Sequence, residues 1–147
     1  MIIFALSLFL QAPDKPALPN CRTLDTARPV LKNETGPEVE QIAILECGGQ
    51  FVLTYSKRAD AMDDWSVVQR VDAGAPKPGT TWFLDGGQCR ESLKPGEALV
   101  IWNHAVLAPV KAASGELAKW KPVEAYHIDP ETNAWVKLDV KNVACKG

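Results

Sequence analysis

The sequence has no apolar stretch near the ~20 residues that a helix needs to cross a bilayer. Its longest greasy run, IIFALSLFL at residues 2–10, covers nine. It holds only two histidines, His104 and His127, and no GxSxG elbow, HExxH pair, SxxK pair or phosphate-cradling glycine loop, the local signatures of many hydrolases and nucleotide enzymes. Basic charge is not in excess: Lys and Arg number 16 against 18 Asp and Glu, a net charge of −2. Such a chain offers phosphates no attractive field, so nucleic acid is not an expected partner. The cysteines lack a CxxC pair, and their gaps of 25, 41 and 55 residues fit neither a zinc ribbon nor a redox motif. No metal or cofactor is expected, and the thin catalytic inventory argues against an enzyme.

What is present points to export. The apolar run is long enough for the core of a signal peptide, and turn-forming residues follow it at Pro13, so residues 1–12 read as a leader cut near Ala12. Residues 13–20, with Pro13, Pro16 and Pro19, read as an extended tether. Cys21 lies too far beyond the apolar run for a lipid-attachment site. Residues 21–147 then form a single β-rich domain, with no membrane span in the mature chain. Four cysteines remain, Cys21, Cys47, Cys89 and Cys145, an even number that suggests two disulfides in an oxidising, periplasmic or extracellular compartment. Three connectivities are possible. The preferred one joins the chain ends, Cys21 with Cys145, and pairs Cys47 with Cys89.

Turn residues divide the domain into short segments. Residues 41–46 and 51–56 flank Gly48-Gly49, a pair suited to the positive φ angles of a tight hairpin. The two-residue repeat of strands places Ile42, Ile44, Phe51, Leu53 and Tyr55 on a core face, with Ala43, Leu45, Cys47 and Val52 opposite, so this hairpin should be covered on both sides. Residues 65–71 and 80–84 read as strands, with a helix over 58–68 as the weaker alternative. Residues 98–106 read as a central strand, residues 110–117 as a loop with one helical turn, and residues 120–128 and 134–140 as a closing hairpin around a five-residue loop. Six or seven short strands without a long amphipathic helix predict an all-β antiparallel sandwich or small barrel; the alternative is α+β with one short helix on the sheet.

Five tryptophans, Trp65, Trp82, Trp102, Trp120 and Trp135, all fall in predicted strands. Trp82 and Trp102 are expected in the core. In residues 134–140, Val136, Leu138 and Val140 form the expected core face, leaving Trp135 beside Lys137 and Asp139. If Ile128 pairs with Ala134, His127 lies across from Trp135 and Ala125 across from Lys137. Trp135, His127 and Lys137 then make an exposed patch able to stack on a sugar or anchor a protein.

The function these features favour is a non-catalytic, exported, periplasmic binding module that recognises a protein or cell-envelope component. Two alternatives remain: an inhibitor or immunity protein of an envelope-targeted enzyme, or a small hydrolase using His104 or His127 with a carboxylate.

Overall fold

The computed structural model describes residues 20–29, 39–60, 62–92, 103–129 and 132–147. The leader, most of the tether, and residues 98–102 of the expected central strand with Trp102 lie outside them. Among the described residues no helix is long and apolar enough to cross a membrane.

Among the described residues the regular structure is nearly all strand, arranged in three antiparallel sheets. The first sheet contains β1 (Cys21–Ala27), β2 (Val39–Cys47), β3 (Gln50–Arg58) and β4 (Ser66–Gly74), in that order. The second is built from β5 (Thr80–Asp85), β7 (Asn103–Pro109), β9 (Glu124–Asp129) and β10 (Ala134–Lys137), in the order β10-β9-β7-β5. A small third sheet holds β6 (Cys89–Glu91), β11 (Val143–Lys146) and β8 (Lys119–Trp120), with β11 in the middle. One helical turn, α1 (Val110–Ala113), follows β7, and a 3-10 turn (Val140–Asn142) precedes β11.

Two cores separate these layers. Between the first and second sheets lie Ile42, Ile44, Leu53, Tyr55, Trp82, Leu107, Ile128 and Trp135, with Phe51 packed against them. Between the second and third lie Val106, Ala125, Trp120, Val143 and the disulfide Cys89–Cys145. The second sheet is therefore covered on both faces, so the interior of β7 is buried without alternation, whereas the edge strand β4 alternates between exposed and half-buried residues over most of its length.

The β2–β3 hairpin has the expected faces. Gly48 and Gly49 both sit at positive φ in its turn, and Ala43, Leu45 and Val52 form a small cluster on the side away from the main core. Side chains close both flanks of the sandwich. Asp25 Oδ2, just past a bulge in β1, accepts from the Leu84 amide of β5 at 2.9 Å. On the other flank Gln69 Oε1 of β4 accepts from the Trp135 amide of β10 at 2.7 Å. Each bond satisfies an edge-strand donor that a two-layer sandwich would otherwise leave open.

Several expectations are corrected. The disulfides join Cys21 to Cys47 and Cys89 to Cys145, not Cys47 to Cys89 and Cys21 to Cys145. Each bonds cysteines that are direct partners on neighbouring strands, Cys21 opposite Cys47 and Cys89 opposite Cys145, so strand pairing rather than proximity of the chain ends selects them. The segment 120–128 is not one strand. Its chain leaves the third sheet after Trp120, passes Pro122, which has no amide to donate, and joins the second sheet at Glu124. Trp65 precedes β4 rather than lying in it, and the described part of 58–68 contains strand ends and a turn instead of a helix. The last hairpin is also shifted. Ala134 pairs with Asp129, which sets Trp135 against Ile128, Val136 against His127 and Lys137 against Tyr126.

That shift decides which residues are buried. Strand β10 stops at Lys137, Val136 is 40% exposed, and Trp135 faces the main core at 4% exposure. The indole Nε1 donates to the Thr54 carbonyl across the sandwich at 3.1 Å, so the polar atom of the buried ring has a partner.

Candidate functional site

Strand register brings the two histidines together. Asp85 on β5 pairs with His104 on β7, and His104 pairs with His127 on β9, so the three side chains form a row across the second sheet. They share the face that carries Phe83, Val106 and Ala125 toward the third sheet. Glu91 enters from that sheet. It lies two residues after Cys89 on β6, hence on the same inward face, and the Cys89–Cys145 bond fixes that strand against β11.

One carboxylate oxygen serves both imidazoles. Glu91 Oε2 is 3.1 Å from His104 Nε2 and 2.9 Å from His127 Nδ1. His104 is 2% exposed, while the Glu91 and His127 side chains retain 15% and 16% exposure. On the other side of His104, Nδ1 lies 3.6 Å from Asp85 Oδ2, close enough for ionic attraction but too far for a good hydrogen bond. Asp85 is itself held by the turn that leads to β6: its two oxygens accept from the Gln88 amide at 2.7 Å and the Cys89 amide at 2.9 Å.

These contacts set the charges. Burial alone would favour neutral Glu91, but hydrogen bonds and attraction from the two imidazoles outweigh it and bring its pKa down to about 2. Burial would likewise raise Asp85, yet His104 and the two backbone amides lower it. For His104 burial favours the neutral ring, and the paired carboxylates overcome that and raise its pKa above the usual 6.5. Among the described residues no set of three His, Cys, Asp or Glu side chains is arranged to hold a metal ion.

The expected patch of Trp135, His127 and Lys137 is not assembled. Trp135 is buried toward the first sheet and His127 points toward the third, while Lys137 is exposed and lies 3.5 Å from Glu124. Sequence reasoning missed Asp85 and Glu91. Asp85 had a signal: an Asp ahead of Gly-Gly at a strand end suits a side chain that caps the following turn. Glu91 had only its spacing from Cys89.

A second candidate lies on the outer face of the first sheet. A cavity of about 290 Å³ is lined by Thr23, Gln41, Leu45, Thr54, Ser56 and Trp65, among others. The Arg58 guanidinium stacks 4.2 Å from the Trp65 ring centre, and Arg58 also lines the cavity. The disulfide Cys21–Cys47 ties β1 to β2 at one end of this face. A larger cavity, about 450 Å³, lies by the third sheet and includes Arg90 and Lys146 in its wall.

Comparison with protein-family models, curated proteins and solved structures returned no match. The functional reading therefore rests on the chain's own chemistry.

Proposed function

We propose that this protein is a non-catalytic recognition module of an oxidising, exported compartment, and that it holds part of a protein or cell-envelope component in the cavity on the outer face of the first sheet. The observation that carries the reading is the lining of that cavity. Hydroxyl, amide, guanidinium and indole groups converge there over an apolar floor of Ala43 and Leu45, the mixture of orienting polar groups and apolar surface expected of a binding pocket. Two disulfides support the compartment and rigidity favours recognition, because less ordering is required on binding.

The test is an amide NMR titration of the isotopically labelled protein with separated glycan, lipid and protein fractions of a cell envelope. One fraction should shift the Thr23, Gln41 and Ser56 resonances saturably, and Gln41→Trp, which fills the cavity from a half-buried position, should abolish the shift. Lys137→Ala should leave it intact. Shifts confined to other faces, or none from any fraction, would refute the proposal.

One observation favours a hydrolase as the second reading. His127 Nδ1 contacts a carboxylate at 2.9 Å, the relation by which an acidic residue orients a histidine for general-base work. A turnover of ester, amide or glycoside substrates that vanishes in His127→Gln while the fold persists would establish it.

A further inference from the structure

Carboxylates accept hydrogen bonds and do not donate them when ionised, whereas a neutral imidazole donates from one nitrogen only. His104 has Glu91 Oε2 at its Nε2 and Asp85 Oδ2 toward its Nδ1. In either neutral tautomer one ring nitrogen would turn a lone pair toward a carboxylate oxygen, at a ring that is only 2% exposed. The imidazolium alone presents N–H to both. Asp85 is fixed as an acceptor, because two backbone amides already donate to it.

We infer that the Glu91 carboxylate shared by His104 and His127 makes the seam between the second and third sheets a proton-dependent clamp, in which His104 is a buried imidazolium and its deprotonation releases the Glu91 end of β6. Among the described residues, the titratable groups facing His104 are Asp85 from β5, His127 from β9 and Glu91 from β6. Asp129 lies two residues beyond His127 on β9, and the nearby β11 residue Val143 is apolar. With His104 charged, a cation stands between the Asp85 and Glu91 carboxylates; with His104 neutral, that counter-charge is lost.

The release is local. Cys89 and Cys145 stay bonded, so the end of the third sheet that carries them cannot part. At the other end Glu91 pairs with Val143, and the Ser92 amide donates to the Asn142 carbonyl at 2.7 Å. The Ser92 amide therefore reports the clamp, and the Lys146 amide, bonded to the Gln88 carbonyl at 3.0 Å beside the disulfide, is the internal reference.

The sign follows from the direction of each shift. His104, raised above 6.5, contributes stability that is complete below about pH 6.5 and lost as pH rises through its folded-state value. Glu91, lowered from 4.5 to about 2, contributes above about pH 4.5 and fails as pH falls toward 2. The clamp is tightest between these limits.

Hydrogen exchange followed by NMR on the oxidised protein, from about pH 5.5 to about pH 8.5 and corrected for intrinsic base catalysis, tests the inference. Ser92 protection should fall by up to about tenfold per pH unit once His104 titrates, the limit for one linked proton, while Lys146 and the β2–β3 amides stay level. Glu91→Gln should remove the pH dependence. Should that variant fail to fold, the ring-nitrogen shifts of the unaltered protein decide: His104 must show the imidazolium pattern at neutral pH. A neutral His104 there, Ser92 protection that does not vary with pH, or an unchanged dependence in Glu91→Gln would overturn the inference.

Discussion

Replacing Trp135 gives the sharpest test of the packing described above. The residue fills the main core at 4% exposure, its Nε1 bonds the buried Thr54 carbonyl, and its backbone amide bonds Gln69. Trp135→Ala removes an indole from a site pinned on both sides by β-sheet, where collapse is limited, so a loss of about 3–5 kcal/mol is expected. The Gln69 bond uses the backbone and should survive. Trp135→Phe keeps much of the apolar volume but loses the indole bond to the Thr54 carbonyl, which costs about 0.5–1.5 kcal/mol. Urea unfolding with both disulfides intact measures the two variants, and for a domain of this size the alanine variant should melt at least ~10 °C lower. A loss below about 1 kcal/mol for Trp135→Ala would place the indole at the surface and refute both the observed register of β9 and β10 and the cross-sandwich bond.

Other predictions are simpler. The disulfides close separations of 26 and 56 residues, so on the chain-entropy account Cys89→Ser with Cys145→Ser should cost about 4 kcal/mol and Cys21→Ser with Cys47→Ser about 3.5 kcal/mol; equilibrium unfolding ranks them, and peptide mapping without reduction should recover only these two linkages. Asp85→Ala leaves the Gln88 and Cys89 amides without their acceptor and should destabilise the protein by about 2–4 kcal/mol, with the greatest loss of amide protection at the start of β6. Gly49→Ala meets no steric obstacle, but φ is +83° there, so a loss of about 1 kcal/mol or more from backbone strain should appear in the melting curve. Lys137→Ala removes an exposed cation 3.5 Å from Glu124 and should alter stability by less than about 0.5 kcal/mol.

The β2–β3 hairpin could be read locally because its Gly-Gly turn and two-residue apolar repeat give the same answer. The closing hairpin could not. Its apolar repeat favoured Val136, Leu138 and Val140 for the core, and a loop one residue shorter than expected moved Trp135 inward instead. A single-residue slip exchanges the faces of a strand, and the apolar repeat does not show it; Asn133, at positive φ with its amide donating to the Asp129 carbonyl at 2.7 Å, closes the tighter turn. Long-range bonds to Thr54, 81 residues away, and to Gln69 hold Trp135 in that register. The strands β1, β6 and β11 escaped notice for a related reason: they are short or polar, and their pairing depends on partners distant in the chain.

Composition, turn residues and an even set of four cysteines were enough to determine an antiparallel β protein with two disulfides, because alternation and turn chemistry act between neighbours in sequence. Which cysteines bond, which face of β10 is buried and which carboxylate serves the histidines were decided only by tertiary structure. Glu91 meets His104 and His127 because a small third sheet lies over the second. Long-range pairing of that kind leaves no periodic trace in the sequence around any one of those residues.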